Sequence, residues 1–381
     1  MIPLQMKTHN PSGKKRVIVT KELPGSRWLK ILADADCRIE ILTATEISSI
    51  PQIREAIGSR CDGAIGQLTE TWGDELFTVL KTAGGKVYSN YAVGFNNVDV
   101  SAATRNRIAV GNTPGVLTET TAEMAVSLTF AAARRIGEAE RFLRSGKYTG
   151  WLPTLFLGIL LLRKTVGIVG AGRIGSAYAR MMAQGHLMNV LYYDLSPNPT
   201  LEAAISSFGE YLRSRGEEPV TCRRTTTLEE LLQSADCVSI HTVLDGSTRH
   251  LFNAPRLSMM KENAILINTS RGPVIDEEAL VAHCKTHPHF RAGLDVFEDE
   301  PRLKPGLADL ENVVILPHIA SATSWTREGM AILAASNIAA VLNSHPVWQD
   351  PDIAPFLKEP SPRAAPSIIN AGELHLPRYH E

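Results

Sequence analysis

At 381 residues the chain exceeds the size at which one hydrophobic core stays single, so two domains are expected. Its 39 basic and 40 acidic residues leave a formal charge of −1, which removes the electrostatic basis for a nucleic acid or an anionic membrane as partner and points to a small molecule. Five cysteines (Cys37, Cys61, Cys222, Cys237, Cys284) are scattered with no C-x-x-C pair, so each reads as a small buried hydrophobe of a reducing compartment, with no disulfide framework and no metal site.

In chain order, Met1 to Lys15 carries basic residues but no long apolar segment of a secretory signal. Five short β-rich runs follow: Arg16 to Thr20, Arg38 to Leu42, Gly63 to Ile65, Lys86 to Ser89 and Ile108 to Val110. Helical or loop segments separate them, which is the α/β pattern. From Thr118 to Leu143 an Ala-rich stretch with a capping-box-like start predicts one long helix that joins two domains. Leu155 to Leu162 is purely apolar but too short for a bilayer span, and predicts a buried connector or a subunit contact.

A second strand set runs through Thr165 to Val169, Val190 to Tyr193, Cys237 to Ile240, Ala264 to Asn268, Ala292 to Asp295 and Val313 to Leu316. Trp325 to Leu342 predicts a final Ala-rich helix, and Pro346 to Pro366 extended packing or partial disorder. The last residues do not spell an S-K-L-type peroxisomal address, so peroxisome, mitochondrion and cytosol all stay compatible with the sequence.

The segment Val166-Gly-Ile-Val-Gly170-Ala-Gly172-Arg173-Ile174-Gly175 places G-x-G-x-x-G between a strand and a helix. Gly170 permits the tight turn, Gly172 lets backbone N–H groups approach a pyrophosphate, and Gly175 allows helix to pack on strand, with the phosphates at the positive helix N-terminus. Asp194 ends the next strand, 19 residues past Gly175, where a carboxylate accepts the adenosine ribose hydroxyls. No arginine stands in Leu195-Ser196-Pro197 to neutralise a 2′-phosphate, so NADH/NAD+ is the expected cofactor.

Three later segments lie at predicted strand ends, where an open α/β sheet puts its ligand crevice: Asn268 to Gly272, Asp295 to Pro301 and Pro317 to Ala320. Arg271 offers a bidentate fork to a carboxylate. His318 is the general-acid candidate, and Glu300 a carboxylate to orient it and favour its protonated form. This set is what hydride transfer to a keto acid requires.

The motifs GNTPGVLTETTAE (Gly111 to Glu123), GIVGAGRIGSAYARMM (Gly167 to Met182), NTSRGPVIDEEAL (Asn268 to Leu280), GLDVFEDEP (Gly293 to Pro301) and PHIASAT (Pro317 to Thr323) make the chain resemble the D-isomer-specific 2-hydroxyacid dehydrogenase family, within it the plant-type NADH-dependent hydroxypyruvate reductase (glycerate dehydrogenase) branch. The resemblance implies two Rossmann-like or flavodoxin-like α/β domains with a cleft between them. Residues 1–120 and 337–381 would form the substrate-binding domain and 121–336 the dinucleotide-binding domain. It implies that Arg271 binds the substrate carboxylate and carbonyl, that Glu300 pairs with His318 as acid/base, and that Asp295 faces the nicotinamide carboxamide. Arg173, Ile174, Thr121, Val243, Thr269 and Ala320 join the cofactor site by the same resemblance. Val93 and Gly94 are implied to offer backbone N–H groups to the substrate, with Leu68 as a second lip. Trp151 is implied to come from the neighbouring subunit of a homodimer to the substrate cleft.

The family's His-x-Pro-Leu is His241-Thr242-Val243-Leu244 here, which leaves the loop beside the cofactor unspecified. The expected reaction is NADH-dependent reduction of hydroxypyruvate to D-glycerate, with glyoxylate giving glycolate. Two alternatives stand beside it. A phosphoglycerate dehydrogenase is disfavoured by the short stretch after the cofactor domain, and an NADH-sensing corepressor would keep the fold without turnover.

Overall fold

The computed structural model describes residues 4–379, which fall into two compact units: residues up to Leu117 with those from Ala322 onward, and Thr118–Ser321. The extreme ends, which carry part of the N-terminal segment and the last two residues of the C-terminal tripeptide, lie outside the described residues.

In the first unit six strands, β1 (Met6–His9), β2 (Lys15–Val19), β3 (Cys37–Leu42), β4 (Gly63–Gly66), β5 (Val87–Asn90) and β6 (Ala109–Gly111), form one sheet in the order β1-β3-β2-β4-β5-β6. All neighbours are parallel except β1, which runs antiparallel on β3. The strand order reverses between β2 and β4, the flavodoxin-like switch point, so the loop after β4 is where a ligand site is expected. The sequence reading missed β1 because its residues, MKTH, are mostly exposed and form no apolar run.

The helix Ser324–Leu342 is apolar around most of its circumference and correspondingly buried. It packs on the helix Arg27–Asp34 and on β4, β5 and β6, which returns the chain to the first unit at Ala322 rather than at residue 337. Buried Asn337 fixes it there, donating to the Asn112 carbonyl at 3.0 Å and accepting from the Ser367 N–H at 3.0 Å. The tail then lies along β6, where Ile369 donates to the Val110 carbonyl at 2.8 Å and Asn370 accepts from the Val110 N–H at 2.9 Å.

The second unit holds seven parallel strands, β7 (Thr165–Val169), β8 (Asn189–Tyr193), β9 (Cys222–Arg224), β10 (Cys237–Ile240), β11 (Ile265–Asn268), β12 (Arg291–Leu294) and β13 (Val313–Ile315), in the order β13-β12-β11-β10-β7-β8-β9. Strands β10, β11 and β12 are buried along their whole length, as in a parallel sheet that helices cover on both faces. The reversal falls between β7 and β10, beside the glycine turn. β9 is short, polar and at the edge, which hid it from the sequence reading.

The single helix expected from Thr118 to Leu143 is two, Thr118–Ala133 and Ile136–Arg144. Arg135 takes a left-handed backbone (φ 56°), and the returning Ile159 N–H claims the Ala133 carbonyl at 2.8 Å. No proline marks the break, and its one nearby glycine, Gly137, already lies inside the second helix. The apolar run after it is not a buried connector either, since Leu157, Leu160 and Leu162 are exposed. Burial favours the neutral thiol at all five cysteines, pushing Cys37 and Cys61 up to about 11 and Cys222, Cys237 and Cys284 up to about 12. Among the described residues no helix is long and apolar enough to cross a membrane.

Candidate active site

The first cluster forms where β7 enters the glycine turn and the helix Arg173–His186 begins. The helix's first N–H groups lack intrahelical acceptors and sit at its positive end. A Cβ added to Gly172 would meet nothing within 4 Å, so the space over the turn is open. At Gly175 it would strike the Gly170 carbonyl oxygen at 2.1 Å, so only glycine lets the helix sit this close to the turn. Arg173 is exposed and Ile174 half-buried in that first turn.

Asp194 Oδ2 accepts from the Ala171 N–H at 2.7 Å, which locks the end of β8 to the glycine turn. One expectation changes here. The residues after Asp194 carry no arginine, but β9 brings Arg224 alongside, donating to the carbonyls of Asp194 at 2.8 Å and Leu195 at 3.0 Å.

At the ends of β10 and β11 the Thr242 and Thr269 hydroxyls are buried with no hydrogen-bond partner among the described residues. Orphaned polar atoms beside an open glycine turn suit a polar ligand that would satisfy them, and a dinucleotide fits this donor set. Thr121 is buried in the first turn of its helix, Ala320 is buried after β13, and Val243 stands exposed on the loop after β10. In the departure from His-x-Pro-Leu, His241 Nε2 meets Ser239 Oγ at 2.9 Å and burial pulls its imidazole down to about 3, so it stays neutral.

The second cluster spans the ends of β11, β12 and β13. Asn268 shapes the turn after β11: its Oδ1 accepts from the Ser270 N–H at 2.9 Å and its Nδ2 donates to the Arg271 carbonyl at 2.9 Å. A Cβ at Gly272 would overlap the Phe297 carbonyl oxygen at 1.8 Å, so the Arg271 turn and the loop carrying Glu300 are in backbone contact. Burial lowers the Arg271 pKa, opposed by the nearby Glu300 charge.

His318 Nδ1 lies 2.9 Å from Glu300 Oε2, and because an ionised carboxylate only accepts, Nδ1–H donates and leaves Nε2 for another partner. The other Glu300 oxygen takes the Phe297 N–H at 2.9 Å. Burial pushes the Glu300 carboxyl up, but the His318 hydrogen bond and charge, the Phe297 N–H and the Arg271 charge outweigh it, and its pKa is lowered.

His318 itself has a left-handed backbone (φ 55°), a strained conformation for a non-glycine residue. Asp295 holds it there: its carboxylate accepts from Ile319 N–H at 2.8 Å and Ala320 N–H at 2.7 Å, and its carbonyl from His318 N–H at 2.9 Å. Burial raises the Asp295 pKa against those N–H bonds and the His318 charge. Sequence reasoning placed Asp295 in the site but missed this bracing, since a carboxylate that bonds backbone leaves no residue pattern.

In the first unit the loops after β4 and β5 form a third cluster that contains Leu68, Val93 and Gly94. Asn97 Nδ2 donates to the carbonyls of Gln67 at 3.2 Å and Glu70 at 2.9 Å, and Asn90 Nδ2 to the Gly94 carbonyl at 3.0 Å. Asn112 Nδ2 takes the Val93 carbonyl at 2.9 Å. With those carbonyls turned inward, neither the Val93 nor the Gly94 N–H donates a hydrogen bond among the described residues. Buried Glu70, pushed up by desolvation, accepts from the Gln67 N–H and the Trp72 indole. Glu70, Asn90 and Asn97 were not picked out by the sequence. Trp151 is 80% exposed.

The family model "D-isomer specific 2-hydroxyacid dehydrogenase, NAD binding domain" matches residues 126–320. The chain belongs to the D-isomer specific 2-hydroxyacid dehydrogenase family. It is 57% identical over 376 residues to a glycerate dehydrogenase of Cucumis sativus, with 98% of each chain covered. It is 56% identical over 379 residues to the peroxisomal glycerate dehydrogenase HPR of Arabidopsis thaliana, again with 98% of each covered. A crystal structure of a protein from Thermus thermophilus superposes with a TM-score of 0.77 at 35% identity, covering 93% of this chain and 99% of that one. In this dehydrogenase residues 126–320 are therefore NAD-binding, and the glycine turn, Asp194 and the orphaned threonines all lie within them.

Proposed function

We propose that this dehydrogenase reduces hydroxypyruvate to D-glycerate with NADH, and glyoxylate to glycolate as a side reaction. The observation that carries the chemistry is the 2.9 Å His318–Glu300 pair, with Arg271 close enough for its charge to act on Glu300. The choice of hydroxypyruvate rests on the two glycerate dehydrogenases matched over nearly the whole chain.

The first-turn N–H groups of Arg173, Ile174 and Gly175 would face the pyrophosphate, Asp194 the ribose, and Thr121, Val243, Thr269, Asp295 and Ala320 the rest of the dinucleotide. Bound NADH supplies the hydride for the keto carbon. Arg271 forks the substrate carboxylate; in the first unit the Val93 and Gly94 N–H groups, together with Leu68, are the substrate-binding candidates. His318 Nε2–H donates its proton to the keto oxygen, and Glu300 balances the positive ring through Nδ1–H until that transfer neutralises it. In the reverse direction neutral His318 takes the hydroxyl proton. Asp295 keeps the His318 backbone in its left-handed conformation throughout.

The protein would work as a homodimer. Ile136, Leu143, Tyr148, Trp151, Leu152, Leu157, Leu160 and Leu162 are all exposed along one stretch of the second unit's sequence, and apolar side chains exposed together in this way mark a candidate subunit contact. The reaction assignment is tested by kcat/KM for hydroxypyruvate, glyoxylate and pyruvate with NADH and with NADPH. Hydroxypyruvate with NADH should lead clearly, and glyoxylate or pyruvate equal to it would overturn the substrate assignment.

A further inference from the structure

Glu277 opens the helix Glu277–Thr286, five residues past the Arg271–Gly272 turn, and is 3% exposed. Its two carboxylate oxygens go to one loop: Oε2 accepts from the Glu298 N–H at 2.7 Å and Oε1 from the Lys304 N–H at 2.9 Å. These two residues bracket Glu300. Glu298 returns the contact, its Oε2 accepting from the Glu277 N–H at 3.4 Å while its Oε1 meets His250 Nε2 at 2.7 Å.

We infer that Glu277 is a positioning residue for the reaction, strapping the 298–304 loop against the Arg271 segment so that Glu300 meets His318 in register. This rests on the proposed roles of Glu300 and His318. A buried carboxylate on two backbone N–H groups fixes a loop more firmly than an exposed ion pair, because releasing it leaves a desolvated charge and two unsatisfied donors. The loop's other charged contacts do not reach Glu300: Lys304 pairs with Asp299 at 3.0 Å and Glu278 at 3.8 Å, and buried Glu298 meets Arg249 and His250. The charged groups that act on Glu300 are His318, Arg271 and Asp295. Glu277 thus acts through Glu300 and touches none of the reacting atoms.

Glu277→Gln puts an amide N–H against one of the two backbone donors and so breaks one strap. Three readouts test it: hydrogen exchange across residues 297–304, NADH affinity by fluorescence, and the pH profile of hydroxypyruvate reduction, in Glu277→Gln, Glu300→Gln and the double variant. Exchange should accelerate and kcat should fall roughly tenfold, with NADH affinity changed by less than about twofold. The alkaline fall in kcat should move to lower pH, as in Glu300→Gln, and the double variant should lose no more than about twofold beyond Glu300→Gln alone. Losses that multiply, or an unmoved pH profile with only a lower melting temperature, would overturn the inference. If Glu277→Gln does not fold, Glu277→Asp, which keeps the charge at shorter reach, carries the same comparison with smaller effects. Absence of turnover in the unaltered enzyme would count against the proposed function instead, and unchanged exchange across 297–304 would by itself refute the strap.

Discussion

Glu300 holds the Nδ1–H of His318 with one oxygen and the Phe297 N–H with the other, so the carboxylate that orients the imidazole is itself fixed to the backbone three residues away. Glu300 therefore cannot swing off the ring without losing a second hydrogen bond, and the ring's Nε2 keeps one direction.

The pH behaviour follows from that pair. The folded Glu300 pKa is lowered, so its contribution to stability and to orienting His318 is fully present above the unfolded carboxyl value and disappears only as pH falls through the lower folded value. The acid limb of reduction should thus lie below the ordinary glutamate range. Glu300→Gln should remove this acid-side dependence and shift the alkaline fall in activity to lower pH, because no anion then favours the protonated ring. An unmoved alkaline limb would separate Glu300 from the proton transfer.

Arg271 presents a planar fork that lysine cannot reproduce. Arg271→Lys should lower kcat/KM for hydroxypyruvate by roughly ten- to a hundredfold, the equivalent of about 1.5–3 kcal/mol for a charge-assisted hydrogen bond, with NADH affinity unchanged. Steady-state kinetics with a separate NADH titration would show it; equal losses in both would mean that the variant disturbs the turn held by Asn268 rather than substrate binding.

On the proposed reading, cofactor choice depends on two residues rather than one. Asp194 would repel a 2′-phosphate, while Arg224, which donates to its carbonyl, would supply a cation once that carboxylate is gone. Asp194→Ser should narrow the preference for NADH over NADPH, and adding Arg224→Ala should take back most of the gained NADPH use. If NADPH use in the double variant equals that of Asp194→Ser, Arg224 plays no part.

The exposed apolar stretch predicts the oligomer. Sedimentation of the unaltered protein should give a dimer, and Leu157→Glu with Leu160→Glu should give monomers. If Trp151 reaches the neighbouring subunit's substrate, Trp151→Ala should raise KM for hydroxypyruvate while sparing NADH affinity. A monomeric native protein with an unaffected Trp151→Ala variant would make Trp151 an anchor of its own chain.

The residues that could be read in advance are those whose chemistry is local. G-x-G-x-x-G needs its glycines within one turn, and the inner strands β10, β11 and β12 are mostly apolar and wholly buried because both faces are covered. Arg271, Glu300 and His318 stood out because each follows a legible strand. What stayed hidden depends on distant backbone. Asp295, Glu277 and Asn97 bond main-chain groups that only the folded chain brings near. Arg224 came with an edge strand too polar to recognise, and the kink at Arg135 arises because Ile159 returns to take the Ala133 carbonyl. The second domain boundary moved for a similar reason, since the last helix belongs to whichever sheet its apolar surface covers.

The most direct test is NADH oxidation with hydroxypyruvate by the unaltered protein and by His318→Ala, with the product's configuration determined. The account predicts D-glycerate, and a loss of roughly 10²-fold or more in kcat for His318→Ala at nearly unchanged NADH affinity. Near-normal turnover in that variant, L-glycerate as product, or NADH binding with no turnover of any small 2-keto acid would contradict it.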